Sequence, residues 1–268
     1  MILKKFPKKS LGQNFLIDSN IVKKIVNVSS DIKNKTILEI GPGSGNLTTE
    51  ILSRKPKKVI AIEKDKNLSI LLKNRFIFNK NLRIINEDVM TILKKSNVER
   101  NVIIFGNLPY NISTQILASL ITLKKWPPWY ESLIFMFQKE VADRILAKIG
   151  SKEYGRLAIL CNWRLEIKKH FNVSKNCFYP KPKINSTILS FVPKKKVKYK
   201  IRNPKNLELV TRVLFSSRRK MINKSLMKLF NKNKTAIKNL NLDTRCRAEE
   251  LSNETFYKIV KSYEKLTN

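Results

Sequence analysis

The chain has 268 residues, 42% of them apolar, enough for one large domain or for a domain of roughly 180–200 residues with a smaller one beside it. Its 55 Lys and Arg against 20 Asp and Glu leave a net charge of +35, a field that favours a polyanion such as RNA or DNA, although a general abundance of Lys, Asn and Ile accounts for part of it. Three scattered cysteines and one histidine fit no familiar zinc spacing, so no metal site is expected and the thiols read as reduced, in a cytoplasmic chain.

The N-terminal stretch Met1–Phe6 lacks the long apolar core of a secretory signal, and no run approaches the ~20 apolar residues that span a bilayer. Short apolar runs then recur with helical segments between them. Strands are predicted at 36–40, 58–62, 82–86, 101–105 and 132–137, and helices at 47–53, 67–78 and 113–123. This alternation predicts a doubly wound, mostly parallel α/β sheet. Two further strands are expected at 156–166 and 186–192, forming an antiparallel edge on that sheet. From about Pro204 the apolar residues follow helical spacing (Leu207, Val210, Val213, Leu214; then Met221, Leu226, Leu229, Phe230). The expected domains are therefore 1–192 and a helical 193–268.

Chemistry gathers where the predicted strands end. The first runs into Gly41-Pro42-Gly43-Ser44-Gly45, whose glycines let a ligand approach the backbone. The G-x-G-x-G spacing lacks the extra residue of a dinucleotide fingerprint. Glu63 ends the second strand, where an acid hydrogen-bonds ribose hydroxyls in nucleotide-binding folds. Asp88 follows the third; it can accept from an adenine amino group while neighbouring N–H groups, Val89 among them, serve ring nitrogens. Taken singly, these are turn glycines and polar strand ends; in this order they fit S-adenosylmethionine. After the fourth strand comes Asn107-Leu108-Pro109-Tyr110. The Asn107 amide can accept from an exocyclic amine, Pro109 removes a competing N–H, and Tyr110 can stack on a flat ring. The plain alternative is a strand end followed by a turn.

With those residues in line, the chain resembles the class I methyltransferases that act on adenine N6. It is most similar to the small-subunit ribosomal RNA adenine dimethyltransferases. The resemblance also rests on 9–16 (KSLGQNFL), 137–141 (FQKEV), 154–157 (YGRL), 178–186 (FYPKPKINS) and Arg218-Arg219-Lys220. It implies a Rossmann-like catalytic domain with a helical ribosome-docking domain. Asn14 and Leu16 would close over the cofactor, with Gly41, Gly43, Glu63, Asp88, Val89 and Asn107 as its contacts. Asn107 and the Leu108 carbonyl would orient the target amine, with Pro109 setting the loop and Tyr110 and Phe178 walling the base. The implied substrate is a pair of adjacent adenosines near the 3′ end of small-subunit rRNA, in a pre-30S particle, methylated by a monomer. Lys4, Lys5, Lys8, Lys9, Arg218, Arg219 and Lys220 are the candidate RNA contacts. Gln115 stands where many relatives have proline, which leaves the helix entry open. A large-subunit rRNA adenine methylase and an idle assembly or transcription factor on the same fold are the competing readings.

Overall fold

The computed structural model describes residues 13–29, 31–93 and 99–267. Lys4, Lys5, Lys8 and Lys9 lie outside the described residues. The chain divides into two compact units. The first comprises the described part of Met1–Leu120 with Pro127–Ala142 and Ile167–Pro193; the second comprises Ile121–Trp126, Asp143–Glu166 and Lys194–Asn268. The chain therefore crosses between units several times, and the single limit expected at 192/193 is only the last of these crossings.

The first unit opens with β1 (Phe15–Leu16) and α1 (Ser19–Val26). Asp18 caps α1 by accepting from the N–H groups of Asn20 and Ile21. Then β2 (Thr36–Ile40), α2 (Asn46–Ser53), β3 (Lys58–Glu63), α3 (Lys66–Arg75), β4 (Leu82–Asn86), α4 (Val89–Ile92), β5 (Val102–Gly106), α5 (Ser113–Ile121) and β6 (Tyr130–Gln138) follow in strict alternation. β2 pairs in parallel with both β3 and β5, β3 with β4, and β5 with β6. Parallel strands covered on both faces need nearly continuous apolar sequence, and every residue of β2 and of β5 is buried. Beneath the sheet, Ile37, Ile51, Val59, Ile103, Phe105 and Ile134 share one apolar cluster with Leu16 and Val22.

After α6 (Lys139–Leu146), the stretch expected as a strand at 156–166 is instead α7 (Arg156–Arg164), and the strand β7 (Leu165–Val173) begins only at its end. Ala158, Ile159, Leu160, Cys161, Trp163 and Arg164 of α7 are all buried. A helix buried nearly all round has no polar stripe, so periodicity cannot tell it from a strand. β8 (Phe178–Tyr179) pairs with β1 in a separate two-stranded sheet, while β9 (Ser186–Pro193) runs antiparallel to β6. The main sheet has the order β4-β3-β2-β5-β6-β9-β7.

In the second unit, Arg164 is sandwiched between the rings of Trp163 (3.8 Å) and Trp126 (4.6 Å) and donates to the carbonyls of Ile121 and Leu123. Four helices follow: α8 (Pro204–Phe215), α9 (Asn223–Leu229), α10 (Lys234–Lys238) and α11 (Asn253–Leu266). Pro204 opens α8 at a position where a missing N–H costs nothing. The buried Glu264 of α11 accepts from the N–H groups of Arg202 and Asn203, each at 2.9 Å, and from the Asn206 amide at 3.0 Å. Glu264→Ala would strand those donors, so we expect a loss of about 2–3 kcal/mol. The urea midpoint at constant slope measures it, and an unchanged midpoint would show that water replaces the carboxylate.

Candidate cofactor and base site

Strand order reverses between β2 and β5: the chain builds outward from β2 through β3 and β4 on one side, and through β5 and β6 on the other. At such a switch point the loops leaving neighbouring strands part, opening a crevice at their carboxyl ends. Ile40 and Gly106 are register partners, so the loops that follow them start side by side. The crevice is a cavity of about 200 Å³. Its lining includes Asn14, Leu16, Gly41, Gly43, Glu63, Asp88, Val89, Asn107, Leu108, Pro109 and Tyr110. Eleven of the residues singled out in the sequence thus converge on one cavity.

Gly41 and Gly43 have φ of +69° and +57°, which side-chain-bearing residues rarely adopt. A Cβ on Gly43 would also lie 2.9 Å from the Phe15 ring, so the glycine lets the segment 13–16 lie flat over the loop. Several contacts hold that segment, these among them: Asn46 Nδ2 donates to the Leu16 carbonyl at 2.8 Å, Asn107 Nδ2 donates to the Asn14 carbonyl at 3.0 Å, and β1 is hydrogen-bonded to β8.

Glu63 is buried, with Oε2 accepting from Gly43 N–H (3.1 Å) and Oε1 from Asp65 N–H (2.9 Å). Burial raises its pKa, opposed by those backbone donors. Asp88 Oδ1 caps α4 through Met90 N–H at 2.8 Å, and Oδ2 pairs with the exposed Lys64 at 2.9 Å. Because its Nδ2 is committed to Asn14, the Asn107 amide has Oδ1 to offer a ligand. The Tyr110 hydroxyl meets the buried Ser186 Oγ at 2.7 Å, which ties the ring to the start of β9.

Phe178 is 3% exposed and is absent from the cavity lining; it belongs to the same apolar cluster as Leu16, Val22 and Ile25, on the strand β8 that is hydrogen-bonded to β1. The Arg218 side chain, 38% exposed, also has partners within the chain: Nε meets Glu249 at 2.7 Å and a second nitrogen reaches the carbonyls of Ser151 and Lys152. Arg219 and Lys220 are exposed.

Sequence reasoning missed Glu39, although a carboxylate inside the apolar run Thr36–Ile40 was a signal. It is 1% exposed; Oε2 accepts from Thr48 at 2.7 Å, whereas Oε1 has no hydrogen-bond partner. Burial is the main cause that lifts its pKa to about 7. An orphaned carboxylate oxygen in the wall of a cavity calls for a cation, and the ammonium of S-adenosylmethionine is one. With glycines clearing space at Gly41 and Gly43 and Glu63 placed for hydroxyls, the donor set fits that group.

A raised folded-state pKa means the native state holds its proton more tightly than the unfolded chain. Stability from this group is therefore full below pH 4.5 and lost as pH rises through 7, a change of about 3 kcal/mol. The ligand-free protein should lose stability between pH 5 and 8, and Glu39→Gln should flatten that slope in denaturant titrations. Equal slopes would refute this account of Glu39.

The chain matches the family described as Ribosomal RNA adenine dimethylase over residues 5–265. It belongs to that family. The rRNA adenine dimethylases include an enzyme of Pelagibacter ubique named Ribosomal RNA small subunit methyltransferase A, 47% identical over 259 residues that span 97% of both chains. A protein of the same name from Zymomonas mobilis is 39% identical, covering 97% of this chain and 92% of its own. A dimethyladenosine transferase from Plasmodium falciparum, 26% identical, superposes with a TM-score of 0.75 over 94% of this chain and 98% of its own. The 23S rRNA methyltransferase ErmE, 21% identical, shares the fold with a TM-score of 0.65 over 95% and 100% of the two chains. This dimethylase is an enzyme of rRNA adenine methylation with a Rossmann-like methyltransferase sheet.

Proposed function

We propose that the protein uses S-adenosylmethionine to dimethylate N6 of two adjacent adenosines near the 3′ end of small-subunit rRNA, in a pre-30S particle. In this reading it acts in the cytoplasm as a monomer. The observation that carries it is the position of Asn107: an amide oriented by Asn14, beside Gly41, on the loop that leaves the switch-point strand. Names of the most similar relatives supply the small subunit as substrate.

The cofactor would supply an electrophilic methyl group; the chain's own residues do the rest. Glu63 would accept from the ribose hydroxyls, Asp88 and the Val89 N–H would hold the adenine of the cofactor, and Glu39 would take its ammonium. The target adenine must leave its stack to enter the cavity, where Tyr110, held by Ser186, provides a fixed stacking face. Asn107 Oδ1 and the Leu108 carbonyl accept the two N–H bonds of the amine. Its lone pair, otherwise delocalised into the ring, is then aimed at the methyl. The N–C bond would form as the methyl–sulfur bond breaks and its electron pair stays on sulfur, which leaves as a neutral thioether; the nitrogen, then cationic and acidic, would give up its proton to water. No strong base is needed, and positioning is the larger effect, worth ~7–11 kcal/mol at best. Arg219 and Lys220 serve as RNA contacts.

Labelled methyl transfer to unmethylated small subunits, compared with large-subunit RNA, tests the reading. Dimethyladenosine formed only on the small subunit is the expected result; label on the large subunit would redirect the assignment, and no label on either would overturn it.

A further inference from the structure

The cavity occupies the carboxyl edge of the sheet, and a second feature lies on the amino edge. The segments that precede β2, β3 and β4 are joined there by main-chain bonds: Asn34 N–H to Lys55 O (3.3 Å), Lys57 N–H to Lys35 O (3.0 Å) and Val59 N–H to Asn81 O (2.8 Å). Where α3 ends, Phe76 turns inward against Gly45, which leaves Ile77 and Phe78 outside, 70% and 92% exposed. Phe78 borders a shallow pocket with Leu52, Lys55, Pro56, Asn79, Lys80 and Asn81. Its two charged residues are both cations. Lys55, Lys57 and Lys80 are exposed and make no ion pair among the described residues, whereas Lys35 and Lys58 are paired with Glu131 and Glu99.

A bare aromatic ring flanked by unpaired cations is the arrangement that holds single-stranded nucleic acid, the ring taking a base and the lysines its phosphates. We propose that this edge is a second RNA contact, in which Phe78 stacks on an unpaired base and Lys55 and Lys80 hold the flanking phosphates. The identity of the RNA as rRNA rests on the function proposed above; charge complementarity supplies the RNA itself. A six-residue strand such as β3 separates the two edges by ~20 Å. Only an RNA long enough to span that distance can therefore reach both, and a di- or trinucleotide in the cavity cannot.

The test uses the full chain and reads binding separately from transfer. Phe78→Ala removes an exposed side chain, so the fold is not at risk. It should raise the Kd for unmethylated small subunits about tenfold. Lys55→Ala with Lys80→Ala should also weaken binding and reduce the slope of log K against log salt by about 0.7–0.9 per lysine. Methylation of a di- or trinucleotide bearing the target adenosines, too short to reach Phe78 from the cavity, should be unchanged in both variants. Unaltered subunit affinity in Phe78→Ala overturns the proposal. So does loss of self-association in place of RNA affinity, which would make the edge a contact between copies. Wild-type protein that binds subunits in a Phe78-dependent way yet transfers no methyl overturns the catalytic reading and leaves this one standing.

Discussion

Asn107→Ala is expected to lower single-turnover methyl transfer about a thousandfold, the scale seen when one oriented polar group at a reacting centre is removed. Cofactor affinity should stay within about tenfold. The reason for the split lies in the two ends of one amide: Nδ2 steadies the Asn14 carbonyl, and Oδ1 is left for the target amine in the proposed reaction. Asn107→Asp separates these jobs, because it keeps an acceptor oxygen and sets a second oxygen against that carbonyl. It should retain more transfer than alanine but bind the cofactor less tightly. Loss of rate and of cofactor affinity in equal measure for Asn107→Ala would remove the base-orienting role.

Glu63→Ala should weaken S-adenosylmethionine about a hundredfold by calorimetry. A carboxylate bonded to two hydroxyls contributes ~3 kcal/mol at the low end for charge-assisted bonds, and each 1.4 kcal/mol is tenfold. The same carboxylate holds Gly43 N–H and Asp65 N–H, so its loss also loosens the glycine loop. Glu63→Gln distinguishes the two effects: one acceptor oxygen remains, and the affinity loss should be several times smaller. Unchanged affinity in the alanine variant would take Glu63 out of the ribose site.

Much of this was legible in the sequence, for a physical reason. Strands buried on both faces are written as unbroken apolar runs, so β2, β3 and β5 fell within a residue of their expected bounds, and the residues just past them had to be loop. Strand ends are also where α/β chemistry sits, which is why Gly41, Glu63, Asp88 and Asn107 could be named before their distances were known. The failures share one cause: burial that comes from tertiary packing. α7 looked like a strand because its polar positions are covered, Arg164 included, between two tryptophans. Phe178 reads in sequence as an aromatic beside a proline loop; only the pairing of β8 with β1 shows that its ring points to the core. Arg218 is a surface cation as expected, its side chain 38% exposed, but its ion pair with Glu249 spans 31 residues and could not be read from the chain. Glu39 was passed over because hydropathy marks a carboxylate in a strand as a blemish, whereas its missing partner is visible only in three dimensions.

The bond between Asn107 and the Asn14 carbonyl carries a kinetic corollary. Segment 13–16 roofs the crevice, and one of its anchors is the amide that aims the amine. In the proposed reaction, lifting the roof to exchange spent donor for fresh would release that amide, and lowering it would restore the aim. Two methyl groups on one nitrogen need two donors. Between the first and the second, the roof would have to reopen and the amide be reset, so in the proposed reaction the singly methylated adenosine would be held least firmly as the enzyme reloads. Whether both transfers occur in one encounter thus depends on what else grips the RNA during that interval.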